Sequence, residues 1–458
     1  MMQRLPLTYQ QLWLWELTRR YDRWHCAATY IYRLCGVLDV TLLRRAFAVV
    51  TGAHTSLRMR IVVDAGMPQQ EIADDLAWSL EFRSISGETS AQIGARARLA
   101  VEEFCDQRMD PAGPLLRAVL FELSGQDHWL VLSLHRLGGD CACIDQVCRE
   151  TLACYAELVQ GNQLARPSYP QYADYTIWQV RNSPAWEQRH ASYWSQRLSA
   201  ASPIRWPATA NAPAVASAAL GKASCLLEAP LSAQLHELAR RARTLAATLM
   251  MTIYVAVLRS WCGQDDFILP CNIAGRQAEH KAVVGFFSYA LYLRIQLTGR
   301  ESFRELLSRL GNEFFQSLSH QDFGRMVRQH PELLSGTLFQ WMTWHPQDSA
   351  DAVIAGKTDS PALAVERIPI RDFGEGLTLV PPGMTALEIT FFDTSEGIHA
   401  SASYCADRFT ARTMDRFMAD LHATAQRLVG DPDSPVVAVA AGEGGFDGTT
   451  GHSSSASS

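Results

Sequence analysis

The sequence lacks an apolar stretch long enough to span a bilayer. Its longest, "LAATLMMTIYVAVL" from Leu245 to Leu258, has 14 residues and stops at Arg259. A spanning helix needs about 20, so this run predicts a buried helix and no membrane partner. The opening "MMQRLPLTYQQLW" is too polar to supply the apolar region of a secretion signal. A surplus of positive charge is missing too. Lys and Arg number 41 against 47 Asp and Glu, for a formal net charge of -6. That argues against a broad basic surface for nucleic acid. The 11 cysteines are odd in number and follow no regular spacing. Neither a disulfide framework nor a pair of zinc knuckles can be read from them. Cys26, Cys35 and Cys262 sit inside apolar segments, so the expectation is buried free thiols in a reducing cytoplasm and no bound metal. The tightest group, Cys141, Cys143 and Cys148, has a C-x-C-x4-C spacing unlike the usual zinc sets.

What is present is ordinary globular composition, with 48% hydrophobic and 19% charged residues. At roughly 150 residues per domain, 458 residues suggest three units or two large lobes. Strand-like runs at 29–39, 58–63, 115–123 and 128–135 mix with helical periodicity at 40–54 and 142–160. A second half repeats the mixture, with strands at 223–228, 267–271, 288–297, 337–344, 386–392 and 397–404. Its helices are expected at 231–243, 246–262, 301–318 and 410–429. The pattern predicts an α/β or α+β protein of two lobes, residues 1–180 and 181–440. The Ala/Pro/Ser-rich stretch 201–219 reads as a linker, and the Gly/Ser-rich residues 441–458 as a disordered tail.

The segment that invites a chemical reading is "HRLGGDC", residues 135–141. An apolar strand ends at His135, "LGGD" turns the chain, and Asp140 stands at the entrance of the next helix. A carboxylate is favoured there by free backbone N–H groups. A strand holds a terminal histidine still while the turn exposes it, which suits catalysis. The segment alone equally fits a histidine bonded inside the fold and an aspartate that merely caps a helix.

Other segments narrow this. "LVLSLHRLGGDCACIDQVCRETLACYAEL" resembles the His-His-x-x-x-Asp-Gly signature of nonribosomal peptide synthetase condensation domains. "LPLTYQQLWLWEL" (5–17) is similar to the family's opening motif, with Gln11 and Trp15 in register. "AHTSLRMRI" (53–61) keeps His54, Leu57 and Arg58 of another. "YPQYADYTIWQ" (169–179) carries Tyr172, Asp174, Trp178 and Gln179 of a third. "GQDDFILPCNIAGR", "VVGFFSYALYLRI", "SHQDFG", "LFQWM" and "YCADRFTARTMDRFMADL" continue in order to "GDPDSPV", so the resemblance runs from about residue 5 to 437. It implies two chloramphenicol-acetyltransferase-like lobes in a V, with the signature at the middle of a tunnel. No cofactor is implied as bound. The substrates would arrive tethered to the phosphopantetheine arms of acyl or peptidyl carrier proteins. With no adenylation, carrier or thioesterase segment in the sequence, the resemblance points to a free-standing member that meets those carriers in trans.

The departures fall at the chemistry. The family's second signature histidine, its candidate general base, is Arg136 here. An arginine does not release its proton at neutral pH, so a base at this position is excluded. His135 matches the first histidine, whose implied role is structural. Asp140 keeps the signature aspartate and an implied ion pair, for which Arg276 is the expected partner. Cys141 replaces the family glycine. It is either a thiol activated by Arg136 that accepts the acyl group, or a small residue turned into the helix. Gly285, Phe286 and Tyr289 are expected to line the tunnel, with Tyr289 where the family has asparagine. Trp178 and Gln179 are expected as anchors between lobes, and His54 and Arg58 as structural. The His320–Asp322 pair is assigned no catalysis.

Two functions remain in view. In one, the chain joins a carrier-bound thioester to an amine, with Arg136 as charge stabiliser. In the other, it is inactive and recruits a carrier protein or a tailoring oxygenase. The second follows from "HRLGGD", which resembles the His-Arg-x-x-x-Asp block of X domains, although their usual final Asp is Cys141 here.

Overall fold

The computed structural model describes residues 3–21, 24, 26–74, 78–164, 168–207, 219–321, 324–343, 363–368 and 380–436. The expected tail 441–458, Asp322, and most of the expected linker lie outside the described residues. The strands are β1 (Gln3–Pro6), β2 (Ala27–Cys35), β3 (Met59–Asp64), β4 (Met67–Ile72), β5 (Glu81–Ser84), β6 (Leu116–Ser124), β7 (Asp127–His135), β8 (Leu220–Glu228), β9 (Asp266–Ile273), β10 (Tyr289–Gln296), β11 (Thr337–Thr343), β12 (Ala364–Ile368), β13 (Leu387–Thr394) and β14 (Gly397–Cys405). The helices of eight residues or more are α1 (Tyr9–Arg20), α2 (Val40–Ala53), α3 (Ser90–Asp106), α4 (Cys141–Val159), α5 (Tyr172–Leu198), α6 (Ala229–Arg241), α7 (Ala246–Cys262), α8 (Phe303–Ser319) and α9 (Ala411–Gly430).

Two mixed sheets form, one built mainly from each half. The first has the order β12-β2-β7-β6-β5 and the second β10-β9-β11-β13-β14-β8. A small sheet, β1-β4-β3, stands beside them. The apolar alternation of β6 and β7 puts Leu116, Ala118, Leu120, Leu130, Leu132 and Leu134 in one core with α2 and α4. The run Leu245–Leu258 begins at the N-cap of α7, whose residues Thr248 to Leu258 are all buried. No single helix among the described residues is long and apolar enough to cross a membrane. All eleven cysteines are unpaired.

Three elements depart from the sequence reading. β4, "MPQQEI", has no hydrophobic alternation, yet it is the central strand of the small sheet. Its buried Gln70 donates to the Pro6 carbonyl, Gln11 and Thr176, and Glu71 is held by Arg4 and Arg60. Satisfied polar side chains here do what apolar ones do elsewhere. α5 runs for 27 residues with Pro184 inside it, so a helix breaker is absorbed. β12 comes from the second half but pairs antiparallel with β2 of the first, Val365 opposite Leu34. There Arg367 lies over the Tyr30 ring and bonds Asp145 at 3.2 Å.

The halves are tied at the centre by hydrogen bonds from one to the other. Ser56 donates to the Val284 carbonyl at 2.7 Å, Gln146 to that of Ala282 at 2.8 Å, and Tyr172 to that of Phe286 at 2.7 Å. These three bonds hold the segment 282–287 against the turn 55–58, α4 and the start of α5.

Candidate functional site

β7 delivers His135 and Arg136 to the end of the first sheet. Both are buried, 3% and 5% exposed. The His135 N–H bonds the Leu115 carbonyl and the Arg136 N–H bonds that of Cys26, each within 2.9 Å. The dipeptide is thus fixed through its backbone between β6 and the chain entering β2. Gly139 turns the chain where a Cβ would meet Leu134 and Cys143 at 2.8–3.0 Å.

The two neighbours face different cavities. His135 lines one of about 230 Å³ with Trp15, Trp24, Cys26 and Met109, all from the first half. Arg136 lines one of about 200 Å³ between the halves, with Trp13 of α1, Cys141 of α4, Phe286, Tyr289 of β10 and Trp341 of β11. The Arg136 guanidinium carbon also lies 5.9 Å from the centre of the Trp24 ring, so one side chain links the two linings.

His135 offers no free base. Burial, reinforced by Arg136, pushes its imidazole down to about 3, so it is neutral at physiological pH. Its Nδ1 accepts the Leu137 N–H at 3.2 Å, which assigns the remaining proton to Nε2.

Asp140 stands at the N-cap of α4, yet its side chain caps nothing. Oδ1 instead pairs with Arg276 Nη2 at 2.9 Å, and Oδ2 accepts the Phe287 N–H at 3.4 Å. The expected pair is present, and both partners are largely buried. Arg276 also donates to the carbonyls of His280, Val283 and Gly285 and lies over the Phe287 ring at 4.6 Å. Asp140 therefore orders the wall of the site.

Cys141 lines the inter-lobe cavity as expected. Its activation does not follow: desolvation raises the thiol and outweighs the opposing pull of Arg136. Gly285 lies behind the wall, where a Cβ would sit 2.1 Å from the Tyr172 ring. Phe286 and Tyr289 line the cavity, and the Tyr289 hydroxyl points to Gln321 Oε1 at 3.5 Å. Gln179 links α5 to α1, donating to Gln10 and accepting the Tyr9 N–H, each at 2.9 Å. Trp178 is 38% exposed, so it is no buried anchor between lobes; it stacks on Tyr175 within its own helix. His54 is structural, bonded to Glu150 at 2.6 Å and stacked on Tyr169.

The lining residues not singled out in the sequence include Trp13, Asn272, Ser288 and Gln340. Asn272 was the visible signal, an amide inside the apolar strand "FILPCNI".

A two-lobed protein with a histidine-headed turn at its centre invites comparison with known families. The condensation-domain family model matches residues 1–342. The chain belongs to that family. It is 31% identical over 458 residues to a probable non-canonical nonribosomal peptide synthetase, CymA, of Salinispora arenicola, covering 95% of this chain and 6% of that protein. It is 26% identical over 445 residues to a linear gramicidin synthase of Brevibacillus parabrevis, covering 94% of this chain and 8% of that one. The condensation-family chain thus spans less than a tenth of the length of these two relatives. Among solved structures, SgcC5 of Streptomyces globisporus matches with a TM-score of 0.75 at 23% identity over 94% of this chain and all of that one. The X-domain from teicoplanin biosynthesis, solved in complex with OxyB, matches at 0.78 and 22% identity over 95% of each. These likenesses establish the chloramphenicol-acetyltransferase-like two-lobe fold expected from the sequence.

Proposed function

We propose that this condensation-family protein acts in nonribosomal peptide or hybrid polyketide biosynthesis, transferring an acyl or peptidyl group from a carrier-protein thioester to an amine. The observation that carries the reading is Arg136, buried and lining the cavity between the lobes. The amine nitrogen attacks the thioester carbonyl carbon, a C–N bond forms and the C–S bond breaks. The phosphopantetheine thiol leaves with the electron pair and takes up a proton. Negative charge develops on the carbonyl oxygen, and a fixed guanidinium in a poorly solvated cavity stabilises it. Holding both reactants in place supplies much of the remaining rate, since effective molarities reach ~10⁵–10⁸ M.

The site has no base in the family's position. His135 is neutral with Nδ1 occupied, and Asp140 is tied to Arg276. The acceptor must therefore arrive as a neutral amine, and a hydroxyl, which needs its proton removed, is a poor acceptor. The test offers amine and hydroxyl acceptors to the purified protein with an acyl-loaded carrier protein supplied in trans. Amide forms faster than ester, and its rate rises with pH through the acceptor's own amine pKa. Faster ester formation overturns the reading.

A second reading, a recruiting module for a carrier protein or a tailoring oxygenase, draws on the same Arg136 and on the X-domain likeness. Binding of the loaded carrier without any transfer supports it.

A further inference from the structure

The inter-lobe cavity holds a polar cluster that the acyl-transfer chemistry above does not use. Asn272 of β9 and Gln340 of β11 are opposite each other in the parallel ladder, so their side chains leave the sheet on one face. Both line the cavity beside Arg136. Gln340 is only 7% exposed, and neither carboxamide makes a hydrogen bond to any described residue. Asn272 is half-buried, and an amide without a protein partner leaves its donor and acceptor open to whatever enters the cavity. Most of the rest of the wall is apolar or aromatic, including Phe286, Tyr289 and Trp341. A mostly apolar cavity with a few convergent polar groups is how small-molecule sites are built.

Size and charge narrow the ligand. A cavity of about 150 Å³ is enough to hold a benzene-sized molecule, and this one is about 200 Å³. It admits one ring with a short substituent. Among the described lining residues the only carboxylate is Asp140, which pairs with Arg276, and the lining also carries the guanidinium of Arg136. A cationic side chain entering here would lose water and meet a like charge.

We propose that Asn272 and Gln340 form a specificity subsite for a compact, uncharged ring bearing a hydroxyl or similar polar substituent, carried on the transferred acyl group. The proposal rests on reading this cavity as the substrate site, but it needs no transfer to be tested. The probes are N-acetylcysteamine thioesters of 4-hydroxybenzoate, benzoate and 4-aminomethylbenzoate, the last cationic at neutral pH. Their dissociation constants are measured by calorimetry on the full chain. The hydroxylated ring binds about tenfold tighter than the plain ring, as one satisfied hydrogen bond supplies, and the cationic ring binds weakest. Gln340→Leu and Asn272→Leu, confirmed folded by circular dichroism, erase the preference for the hydroxyl while keeping benzoyl binding. Should either fail to fold, Asn272→Ala or Gln340→Ala takes its place, with the same loss of preference expected. Equal affinity for the three probes, or preferences unchanged in the variants, overturns the subsite. Binding with the expected preferences but no amide formation would leave the subsite standing and remove only the acyl-transfer reading.

Discussion

Replacing Asp140 by alanine probes the wall of the site rather than its chemistry. In the native protein the Asp140 carboxylate accepts from Arg276 and the Phe287 N–H. Removing it strands a largely buried guanidinium and leaves a buried N–H unpaired. Breaking one side of such a pair costs ~3–5 kcal/mol. The lower end is expected, because the carbonyls of His280, Val283 and Gly285 still hold Arg276. Domains are stable by only about 5–15 kcal/mol, so a loss of ~3 is large. With an m-value near or above ~3 kcal/mol/M for a chain of this size, the urea midpoint falls by up to about 1 M. The paired experiment is Asp140→Ala with Arg276→Met, which removes the stranded charge and is less destabilised than the sum of the single variants. A soluble Asp140→Ala protein with the parental midpoint, or strict additivity in the double variant, would refute the reasoning.

Three further outcomes follow from the same geometry. His135 stays neutral down to about 3 in the folded state, whereas the unfolded chain takes up a proton near 6.5. Its contribution is therefore complete above the unfolded value and is lost as pH falls, by up to ~1.4 kcal/mol per pH unit between the two. His135→Gln removes that slope from urea midpoints measured across this range, and an unchanged slope contradicts the assignment. Gly285→Ala forces a Cβ onto the Tyr172 ring, which is pinned by bonds to Thr8 and Phe286. A cost of ~1–3 kcal/mol is expected, and an unshifted melting temperature counts against it. Cys141→Ser leaves amide formation within about twofold, since a raised, protonated thiol is a weak nucleophile; an acyl adduct on Cys141 in intact-mass spectra is the contrary result.

Most of the architecture was legible because it is written in apolar periodicity. β7, α4 and α7 fall within a residue or two of where the alternation and helical spacing put them. β4 was hidden because both of its faces bury polar residues, Gln70 and Glu71, whose partners Thr176 and Arg4 lie far away in sequence. β12 was hidden because five residues matched to β2 across more than 300 positions leave no local trace. At the site, the motif order located His135, Arg136, Asp140 and Cys141 together. It could not say that His135 and Arg136 face different cavities, nor that desolvation beats the guanidinium at Cys141. Those outcomes depend on the sum of burial and charge from several elements. Trp178 and Gln179 show the converse: both were read as anchors between the lobes, yet Trp178 is exposed and stacked on Tyr175, and Gln179 bonds Tyr9, Gln10 and Tyr175 of the first half.

The central claim is that Arg136 serves this protein as a fixed positive donor in place of a base. The most direct measurement is the single-turnover rate of amide formation from an acyl-loaded carrier protein, compared between the parental protein and Arg136→Ala. Loss of an oxyanion donor predicts a fall of about 10²–10³ with folding intact. An Arg136→Ala protein that forms amide at the parental rate would contradict the account.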